Sequence, residues 1–239
     1  MAGALSGKRI LITSGPTRAN IDAVRYISNR STGRLGRRIA IEALAEGARV
    51  TLMTGPESAV PVREDVSNAE WSRLRIVRIE TVLDLLQALQ QELTAPERYD
   101  AVLHAMAVLD YVPQREESGK VPSAKETWTL RLTRTPKIIQ RIKDWSPRTY
   151  LVGFKLEVSK SEDRLMEIGM AFLRESRADL VIANDLTQIR DEQHPAVIVG
   201  RGGGLLARPR TKSEIARDLC RILAQALADQ PASSRRSRP

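Results

Sequence analysis

One segment near the amino terminus constrains the fold more than any other: residues 10–38, ILITSGPTRANIDAVRYISNRSTGRLGRR. A short apolar run leads into a polar loop rich in turn-forming residues, and the glycine pair Gly33 and Gly36 opens a predicted helix. This order places backbone N–H groups, hydroxyls and arginines together at the carboxyl edge of a strand. Because unpaired amides and the helix dipole both favour negative charge there, the segment predicts a site for an anion such as phosphate.

The glycine pair alone is consistent with two structures. The loop is too long for the usual dinucleotide fingerprint, in which the glycines follow the strand at once. Gly33 and Gly36 could equally serve a helix that packs closely on the sheet. The polar residues that flank them, from Ser28 to Thr32, favour the anion site.

The elements that follow predict a single α/β domain. Helical spacing from Leu35 to Leu44, a stop at Gly47 and a strand at Arg49–Thr54 complete a βαβ unit with parallel strands and a right-handed crossover. Further strands are predicted at 74–79, 101–108, 151–155 and 180–183, and further helices at 82–93, from Pro136, from the Ser159–Glu162 capping box and from Thr211. We therefore expect a Rossmann-like parallel sheet flanked by helices.

Two segments have the pattern of antiparallel strands. Trp128–Arg134 alternates strictly between apolar and polar residues, which is the period of a half-exposed strand. Ala196–Val199 and Leu205–Arg208 flank the glycine-rich turn 201–204 and predict a hairpin. We expect a small antiparallel accessory or dimerisation element beside the parallel sheet. The predicted domain spans residues 1–230, and residues 231–239 are expected to form a basic, disordered tail.

Composition limits the classes of partner. The formal charge is +9, but part of the excess lies in the tail and the rest is scattered, without the aromatic–basic alternation that stacks single-stranded bases. We therefore expect anionic small molecules and not nucleic acid as partners. No apolar run is long enough to span a membrane, and the first residues lack the apolar core of a signal peptide, so we expect no membrane partner and a cytoplasmic location.

The single cysteine, Cys220, excludes an intrachain disulfide and a cysteine-rich metal site. It lies among apolar residues at helical spacing, from Ile215 to Leu223. This position predicts a buried structural thiol and not a nucleophile.

Several blocks of sequence occur in the order and spacing of one enzyme family: TSGPTRANIDAVRYISNRSTGRLG, AMAVLDY, the loop at Lys120, RTPKII, LVGFKL and ADLVIANDL. Over roughly residues 8–228 the chain resembles the phosphopantothenate–cysteine ligases, also called phosphopantothenoylcysteine synthetases, of coenzyme A biosynthesis. It looks most like the stand-alone bacterial form. The flavin-dependent decarboxylase half of the fused relatives is not seen, so the resemblance implies no flavin.

The resemblance implies a reaction in two steps. A nucleoside triphosphate, CTP in most bacterial members, activates the carboxylate of 4′-phosphopantothenate as an acyl-nucleotide with loss of pyrophosphate. The amino group of L-cysteine then displaces the nucleotide and forms the amide. The resemblance also implies Mg²⁺ bound with the triphosphate, a homodimer, and a separate phosphopantothenoylcysteine decarboxylase that acts next.

Two catalytic residues follow from the resemblance, Asn29 and Lys120. Asn29 matches the family asparagine that contacts the acyl-nucleotide, and its amide offers a donor and an acceptor to a carbonyl whose charge changes. Lys120 matches the lysine that opens the family's basic loop, and it would neutralise the nucleotide phosphates and the departing oxyanion. From the residues alone, Asn29 could instead cap a turn and Lys120 could be an exposed loop lysine.

Binding residues are implied in the same way. Those expected to contact the nucleotide are Gly15, Ser31, Gly33, His104, Ala105, Met106, Asp110, Lys120, Pro136, Lys137, Ile138, Ile139 and Phe154. Those expected to contact phosphopantothenate are Asn29, Ala107 and Asn184, the last across a dimer interface. From the residues alone, His104 and Phe154 could be core residues, and Asp110 could be a turn or capping residue. No residue is expected to belong to a protein metal site.

The chain departs from the family pattern in its basic loop, which is reduced to Lys120–Ser123, and near Phe172 and Ser176, where fused relatives carry lysines. The cations that could take over the phosphate contacts are Arg174, Arg177, Lys155 and Lys137. The preferred nucleotide, CTP, ATP or UTP, therefore stays open. Two other functions stay open as well: a non-catalytic nucleotide-binding module and, on charge and tail alone, a nucleic-acid partner.

Overall fold

The chain forms one large sheet with helices on both faces. A computed structural model describes residues 3–124 and 126–229, so the tail predicted at 231–239 lies outside the described residues. The strands are β1 (Arg9–Ser14), β2 (Arg18–Asn20), β3 (Tyr26–Ser28), β4 (Arg49–Thr54), β5 (Leu74–Arg78), β6 (Ala101–His104), β7 (Tyr111–Pro113), β8 (Leu132–Arg134), β9 (Tyr150–Glu157), β10 (Leu180–Asp185), β11 (Ala196–Gly200) and β12 (Leu205–Ala207). The helices are α1 (Arg34–Ala45), α2 (Asn68–Trp71), α3 (Val82–Thr94), α4 (Ile138–Trp145), α5 (Glu162–Ser176) and α6 (Lys212–Ala228).

The main sheet has the strand order β12-β11-β10-β9-β6-β1-β4-β5. Neighbouring strands pair in parallel over six strands of this order, namely β10, β9, β6, β1, β4 and β5. Strand β11 is antiparallel to both β10 and β12. Because β1 lies between β4 and β6, the chain fills one side of the sheet first and the other side later. The ends of β1 and β6 therefore bound a topological switch point, where open parallel sheets bind ligands. The predicted Rossmann-like fold is confirmed.

Two apolar layers cover the faces of the sheet. Helices α1 and α6 pack on one face through residues such as Ile39 and Leu219. Helices α3, α4 and α5 pack on the other through residues such as Leu85, Ile142 and Leu173. Burial on both faces explains the apolar runs Ile10–Ile12 of β1 and Ala101–Leu103 of β6. Within the described residues, no helix combines the length and the apolar character that crossing a membrane requires.

Several local signals act as the sequence predicts. Gly47, with a φ of 90°, follows α1 in the left-handed region, where glycine is the usual residue. Thr211 caps α6 by accepting the amide of Glu214 at 3.1 Å. Cys220 is 2% exposed, which confirms the buried thiol, and burial raises the pKa of that thiol above its usual value.

Two predicted strands are too long. The strand expected at 101–108 ends at His104, although the Ala107 amide still donates to the Gly15 carbonyl beyond the strand end. The strand expected at Trp128–Arg134 is reduced to the three residues of β8, which pair with β7 in a separate ribbon. A second ribbon, β2–β3, lies inside the long polar loop and was not predicted.

Two predicted helix starts are wrong. Pro136 does not open α4, since the helix begins at Ile138 and Lys137 is its N-cap. The Ser159–Glu162 capping box does not form. Ser161 caps α5 instead by accepting the amide of Arg164 at 3.3 Å, while Ser159 has a φ of 55° in a turn before the helix.

Candidate active site

Glycines make a tight cradle where β1, β4 and α1 meet. Gly15 and Gly33 have φ values of 78° and 71°, so both use the left-handed region that other residues rarely adopt. A side chain on Gly15 would overlap the Ser58 hydroxyl, and one on Gly36 would overlap the Ser14 hydroxyl. Gly36 therefore has the packing role weighed from the sequence, whereas Gly15 and Gly33 shape the backbone of the predicted nucleotide site.

The amino terminus of α1 has no side-chain cap. Its N-cap is Gly33, and its first turn holds no acidic residue. Among the other long helices, α3, α5 and α6 are capped by the side chains of Thr81, Ser161 and Thr211. The first-turn amides of α1 are thus left for another acceptor, with the half-buried Ser31 just before them. Such amides, at the positive end of the helix dipole, suit a phosphate group.

The segment 105–109 extends the contact between β1 and β6 past the strand ends. The Ala107 amide donates to the Gly15 carbonyl at 2.9 Å, and the Thr17 amide donates to the Ala107 carbonyl at 3.2 Å. The Thr17 hydroxyl in turn accepts the Leu109 amide at 2.9 Å. The backbone of Ala105 and Ala107 is therefore fixed beside the glycine cradle, where sequence analysis expected ligand contacts.

Asn29 is anchored on this same segment. Its Nδ2 donates to the carbonyls of Ala107 at 3.0 Å and Val108 at 3.2 Å, although the residue is exposed. In the part of the chain that the structure describes, its Oδ1 makes no hydrogen bond. The structure thus brings together Asn29 and Ala107, two of the residues predicted to bind phosphopantothenate, with the acceptor oxygen of Asn29 available to a ligand.

His104 is a buried residue at the end of β6. Its Nδ1 shares a hydrogen bond of 2.9 Å with the Thr13 hydroxyl, which also accepts the Met106 amide at 3.3 Å. Burial lowers the pKa of His104 to about 4, so the ring is neutral near pH 7. The side chains of His104 and Met106 are both buried and belong to the interior.

Asp110 and Lys137 face each other across the next pair of loops. Lys137 Nζ donates to Asp110 Oδ1 at 2.6 Å, and both side chains are about half exposed. Thr135 ties the two loops together, because its hydroxyl donates to the Leu109 carbonyl at 2.6 Å. Asp110 is therefore paired with Lys137, and both residues were predicted to contact the nucleotide.

The other residues expected from α4 differ in accessibility. Pro136 is exposed, whereas Ile138 and Ile139 are 2% and 7% exposed and pack into the core. Their side chains are closed to a ligand, and only the backbone at the start of α4 could contact one. Like α1, α4 begins without a side-chain cap.

Phe154 and Asn184 lie on neighbouring strands. Phe154, on β9, is half buried and packs against the core, which agrees with the core role left open from the sequence. Asn184, on β10, is 5% exposed, and its Nδ2 has no hydrogen-bond partner among the described residues. A buried amide donor without a hydrogen-bond partner costs folding free energy, which a ligand that accepts this hydrogen bond would recover.

Lys120 is exposed on the loop after β7, and Asn29 is exposed as well. A cavity of about 290 Å³ lies beyond the ends of β4 and β5. Its lining residues are Arg18, Gly55, Pro56, Arg78, Ile79, Glu80 and Asp84. Because Lys120 and Asn29 are both exposed, this part of the site is open to solvent on the single chain.

Two residues that organise the loop, Asp22 and Arg25, were not predicted from the sequence. Asp22 is 2% exposed and accepts the Val121 amide, next to Lys120, at 3.0 Å. An aspartate three residues before an arginine in a turn-rich segment was the available signal, because aspartate often accepts amides two or three residues on. The distant partner, Val121, had no signal in the sequence.

Comparisons with known proteins agree with this architecture. Residues 5–227 match the family described as the DNA/pantothenate metabolism flavoprotein C-terminal domain. The chain belongs to this family. The coenzyme A biosynthesis bifunctional protein CoaBC of Thermococcus kodakarensis is 39% identical over 215 residues, which cover 90% of this chain and 50% of the relative. The chain thus spans about half the length of the curated relatives it matches.

Two solved structures of the family have the same fold. The DNA/pantothenate metabolism flavoprotein from Streptococcus pneumoniae aligns with a TM-score of 0.81 and 36% identity, over 92% of this chain and 99% of that one. The C-terminal domain of CoaBC aligns with a TM-score of 0.76 and 30% identity, over 95% of this chain and all of that one. This chain is therefore homologous to the C-terminal domain of CoaBC.

Proposed function

We propose that this chain is a phosphopantothenate–cysteine ligase of coenzyme A biosynthesis. The observation that carries the proposal is one shared edge: the uncapped amides of α1 lie beside the segment 105–109, on which Asn29 is anchored. The homology to the C-terminal domain of CoaBC, over 95% of this chain, supports the same function. The substrates would be a nucleoside triphosphate, 4′-phosphopantothenate and L-cysteine.

In the first step, a carboxylate oxygen of phosphopantothenate attacks the α-phosphorus of the nucleotide, and pyrophosphate leaves. The first-turn amides of α1 and the backbone of Gly15 and Gly33 would hold the phosphates at the glycine cradle. Lys120 would place a positive charge where the leaving group gains negative charge. The Asp110–Lys137 pair would bind the ribose hydroxyls or a phosphate oxygen.

In the second step, the cysteine amine attacks the acyl carbon, the amide C–N bond forms, and the nucleoside monophosphate leaves with one carboxylate oxygen. The amine loses a proton as the bond forms. Asn29 Oδ1 would orient the amine by accepting its hydrogen bond, while Nδ2 stays fixed on the carbonyls of Ala107 and Val108. His104 is an unsuitable base because it is buried.

The nucleotide and the metal belong to the proposal as well. We favour CTP over ATP, and Mg²⁺ bound with the triphosphate would neutralise part of its charge. In the described residues no group of three or more carboxylate, histidine or cysteine side chains could hold a metal ion. An ion held mainly by phosphate oxygens and water needs few protein carboxylates.

A homodimer is the proposed assembly. The two ribbons expose large apolar side chains, Tyr26 at 45%, Tyr111 at 54% and Leu132 at 49%. A second copy of the chain would cover them, and it would bring further groups to an edge that is open on one chain. The sedimentation coefficient tests this assembly. The cytoplasmic location and a separate decarboxylase that uses the product stay predictions.

The test of the function is a pyrophosphate-release assay with CTP, ATP and UTP in turn. We expect release only when phosphopantothenate is present, and we expect the ligated product only when cysteine is added. Nucleotide binding without release in any combination would favour a non-catalytic module. Salt-sensitive binding of DNA or RNA that survives removal of residues 231–239 would favour a nucleic-acid partner.

A further inference from the structure

A buried carboxylate links the two halves of the candidate site. Asp22 is 2% exposed and lies in the turn between β2 and β3. Its Oδ1 accepts the amides of Val24 at 2.9 Å and Arg25 at 2.8 Å. Its Oδ2 accepts the Val121 amide at 3.0 Å and two N–H groups of the Arg25 guanidinium. Asp22 therefore ties the β2–β3 turn to the loop that carries Lys120.

The backbone of Lys120 is held on both sides by this turn. On one side, the Gly119 carbonyl accepts the Ala23 amide at 3.1 Å. On the other side, the Val121 amide is bound to Asp22, and the Val121 carbonyl accepts the Arg25 guanidinium at 3.0 Å. The side chain of Lys120 is exposed, but its Cα is fixed by contacts at both neighbours.

Arg25 completes the connection. Its guanidinium lies 4.4 Å from the centre of the Trp128 ring, so the indole covers one face of the ion pair. The hydrogen bond from Arg25 holds the pKa of the Asp22 carboxyl far below its usual range, and the amides of Val24 and Val121 lower it further. The pair is therefore charged at neutral pH.

The same ribbon carries Asn29 at its other end. Strand β3 ends at Ser28, whose hydroxyl donates to the Thr17 carbonyl at 2.9 Å, and Asn29 follows with its two bonds to residues 107 and 108. One short ribbon thus connects Asn29, at the segment after β6, to Lys120, in the loop after β7.

We propose that Asp22 is a positioning residue that sets Lys120 relative to Asn29 through the Val121 amide. The proposal rests on the proposed function, in which Lys120 neutralises the phosphates and the leaving group. A lysine on a free loop would lose backbone freedom at each turnover, whereas a loop already fixed by Asp22 does not. A shift of about 1 Å at such a group can lower the rate about 100-fold.

The variant for the test is Asp22→Asn. It keeps the shape of the side chain, but one oxygen becomes an NH₂ group, which cannot accept the Val121 amide or the guanidinium. The matched control is Asp179→Asn at the amino edge of the sheet. Asp179 also accepts a backbone amide, that of Leu151 at 2.8 Å, and a cation, Lys143 at 2.7 Å.

Two measurements decide the proposal. Hydrogen exchange should be at least about tenfold faster at the Val121 and Ala23 amides in Asp22→Asn, with no such change in Asp179→Asn. In a double-mutant cycle, Asp22→Asn should lower the kcat of pyrophosphate release about 10- to 100-fold in the wild-type background and less than about twofold in Lys120→Gln. The KM for phosphopantothenate should change little.

Three results would overturn the proposal: unchanged exchange at Val121, the same loss of kcat in both backgrounds, or an equal loss in Asp179→Asn. The failure of the proposed function looks different, because the wild-type chain would then release no pyrophosphate with any nucleotide. In that case the exchange rate of the Val121 amide still decides whether Asp22 holds the loop. Without the reaction, Asp22 has no role in positioning Lys120 for catalysis.

Discussion

At the scale of single residues, Asn29 shows how far sequence reasoning reaches. Asn29 and Ala107 were each predicted to contact phosphopantothenate, and the structure places them together, because Asn29 Nδ2 donates to the Ala107 carbonyl. The roles of Asp22 and Arg25 were not predicted, because an aspartate reveals the turn it makes but not the distant Val121 amide it accepts. Phe154 could be assigned to the core or to the ligand, and its half-buried position on β9, just beyond the end of β6, explains why both were plausible.

The substitution Asn29→Asp tests the second step. The carboxylate would face the carbonyls of Ala107 and Val108 without a proton to donate, so the side chain should turn away. We expect pyrophosphate release to continue while formation of the ligated product falls about tenfold or more. Quantifying both products in one reaction measures this. Asn68→Asp, on the short helix α2, is the matched control, and equal losses of both products in Asn29→Asp would contradict the assignment.

The substitution Lys120→Gln tests the first step. Because Lys120 is exposed, we expect the melting temperature to stay within about 2 °C. The rate of pyrophosphate release should fall about 100-fold, since the developing charge loses its cation. Arg221→Gln removes a positive charge from the exposed surface of α6 and serves as control. A wild-type rate in Lys120→Gln would remove this lysine from the mechanism.

At the scale of elements, the signals within an element were reliable and its ends were less so. Thr211 and Gly47 act as predicted because they satisfy amides and carbonyls within their own helix. Ser161 replaces Ser159 as the cap of α5 because Asp185, the last residue of β10, accepts the Lys160 amide and turns the chain there. An end fixed by a distant strand has no local signal.

Helix α1 allows stability and binding to be separated. Gly33 and Gly47 have φ values of 71° and 90°, and a Cβ on either would lie 2.9 Å from Ser58 Cβ or 3.1 Å from Ser6 Cα. We expect Gly33→Ala and Gly47→Ala each to lose about 1–2 kcal/mol of unfolding free energy. Only Gly33→Ala should weaken triphosphate binding, measured by calorimetry. Equal affinities in the two variants would contradict a phosphate site at α1.

At the scale of the whole molecule, the parallel sheet followed from the sequence, because buried strands alternate with amphipathic helices and right-handed crossovers leave few topologies. The β2–β3 ribbon did not follow, and of the β7–β8 ribbon only β8 was predicted, as part of a longer strand in an antiparallel element. None of the residues in these short strands is buried. These ribbons hold Asn29 and Lys120 in place, so the least predictable parts of the fold are those that arrange the candidate site.

Two buried histidines make global stability depend on pH. Burial lowers the pKa of both His104 and His194 to about 4, below the ordinary 6.5, so between these values the unfolded chain binds protons that the folded chain does not. Stability should therefore fall as the pH falls through this interval, by about 1 kcal/mol per histidine from about pH 7.5 to about pH 5.5. Urea denaturation at the two pH values measures it.

The variant His194→Leu tests whether the buried histidines cause this pH dependence of stability. Neither ring nitrogen of His194 has a hydrogen-bond partner in the described residues, so the apolar side chain should cost little stability near pH 7.5. The loss between the two pH values should shrink by about half. An unchanged loss would assign the pH dependence to other groups.

The most direct test of the account follows the oxygen atoms of the acid. Phosphopantothenate labelled with ¹⁸O in its carboxylate is incubated with the chain, the preferred nucleoside triphosphate and cysteine, and the products are analysed by mass spectrometry. An acyl-nucleotide carries a carboxylate oxygen to the α-phosphate, so we predict one ¹⁸O in the nucleoside monophosphate and none in pyrophosphate. Label in inorganic phosphate, or product without labelled nucleotide, would contradict it.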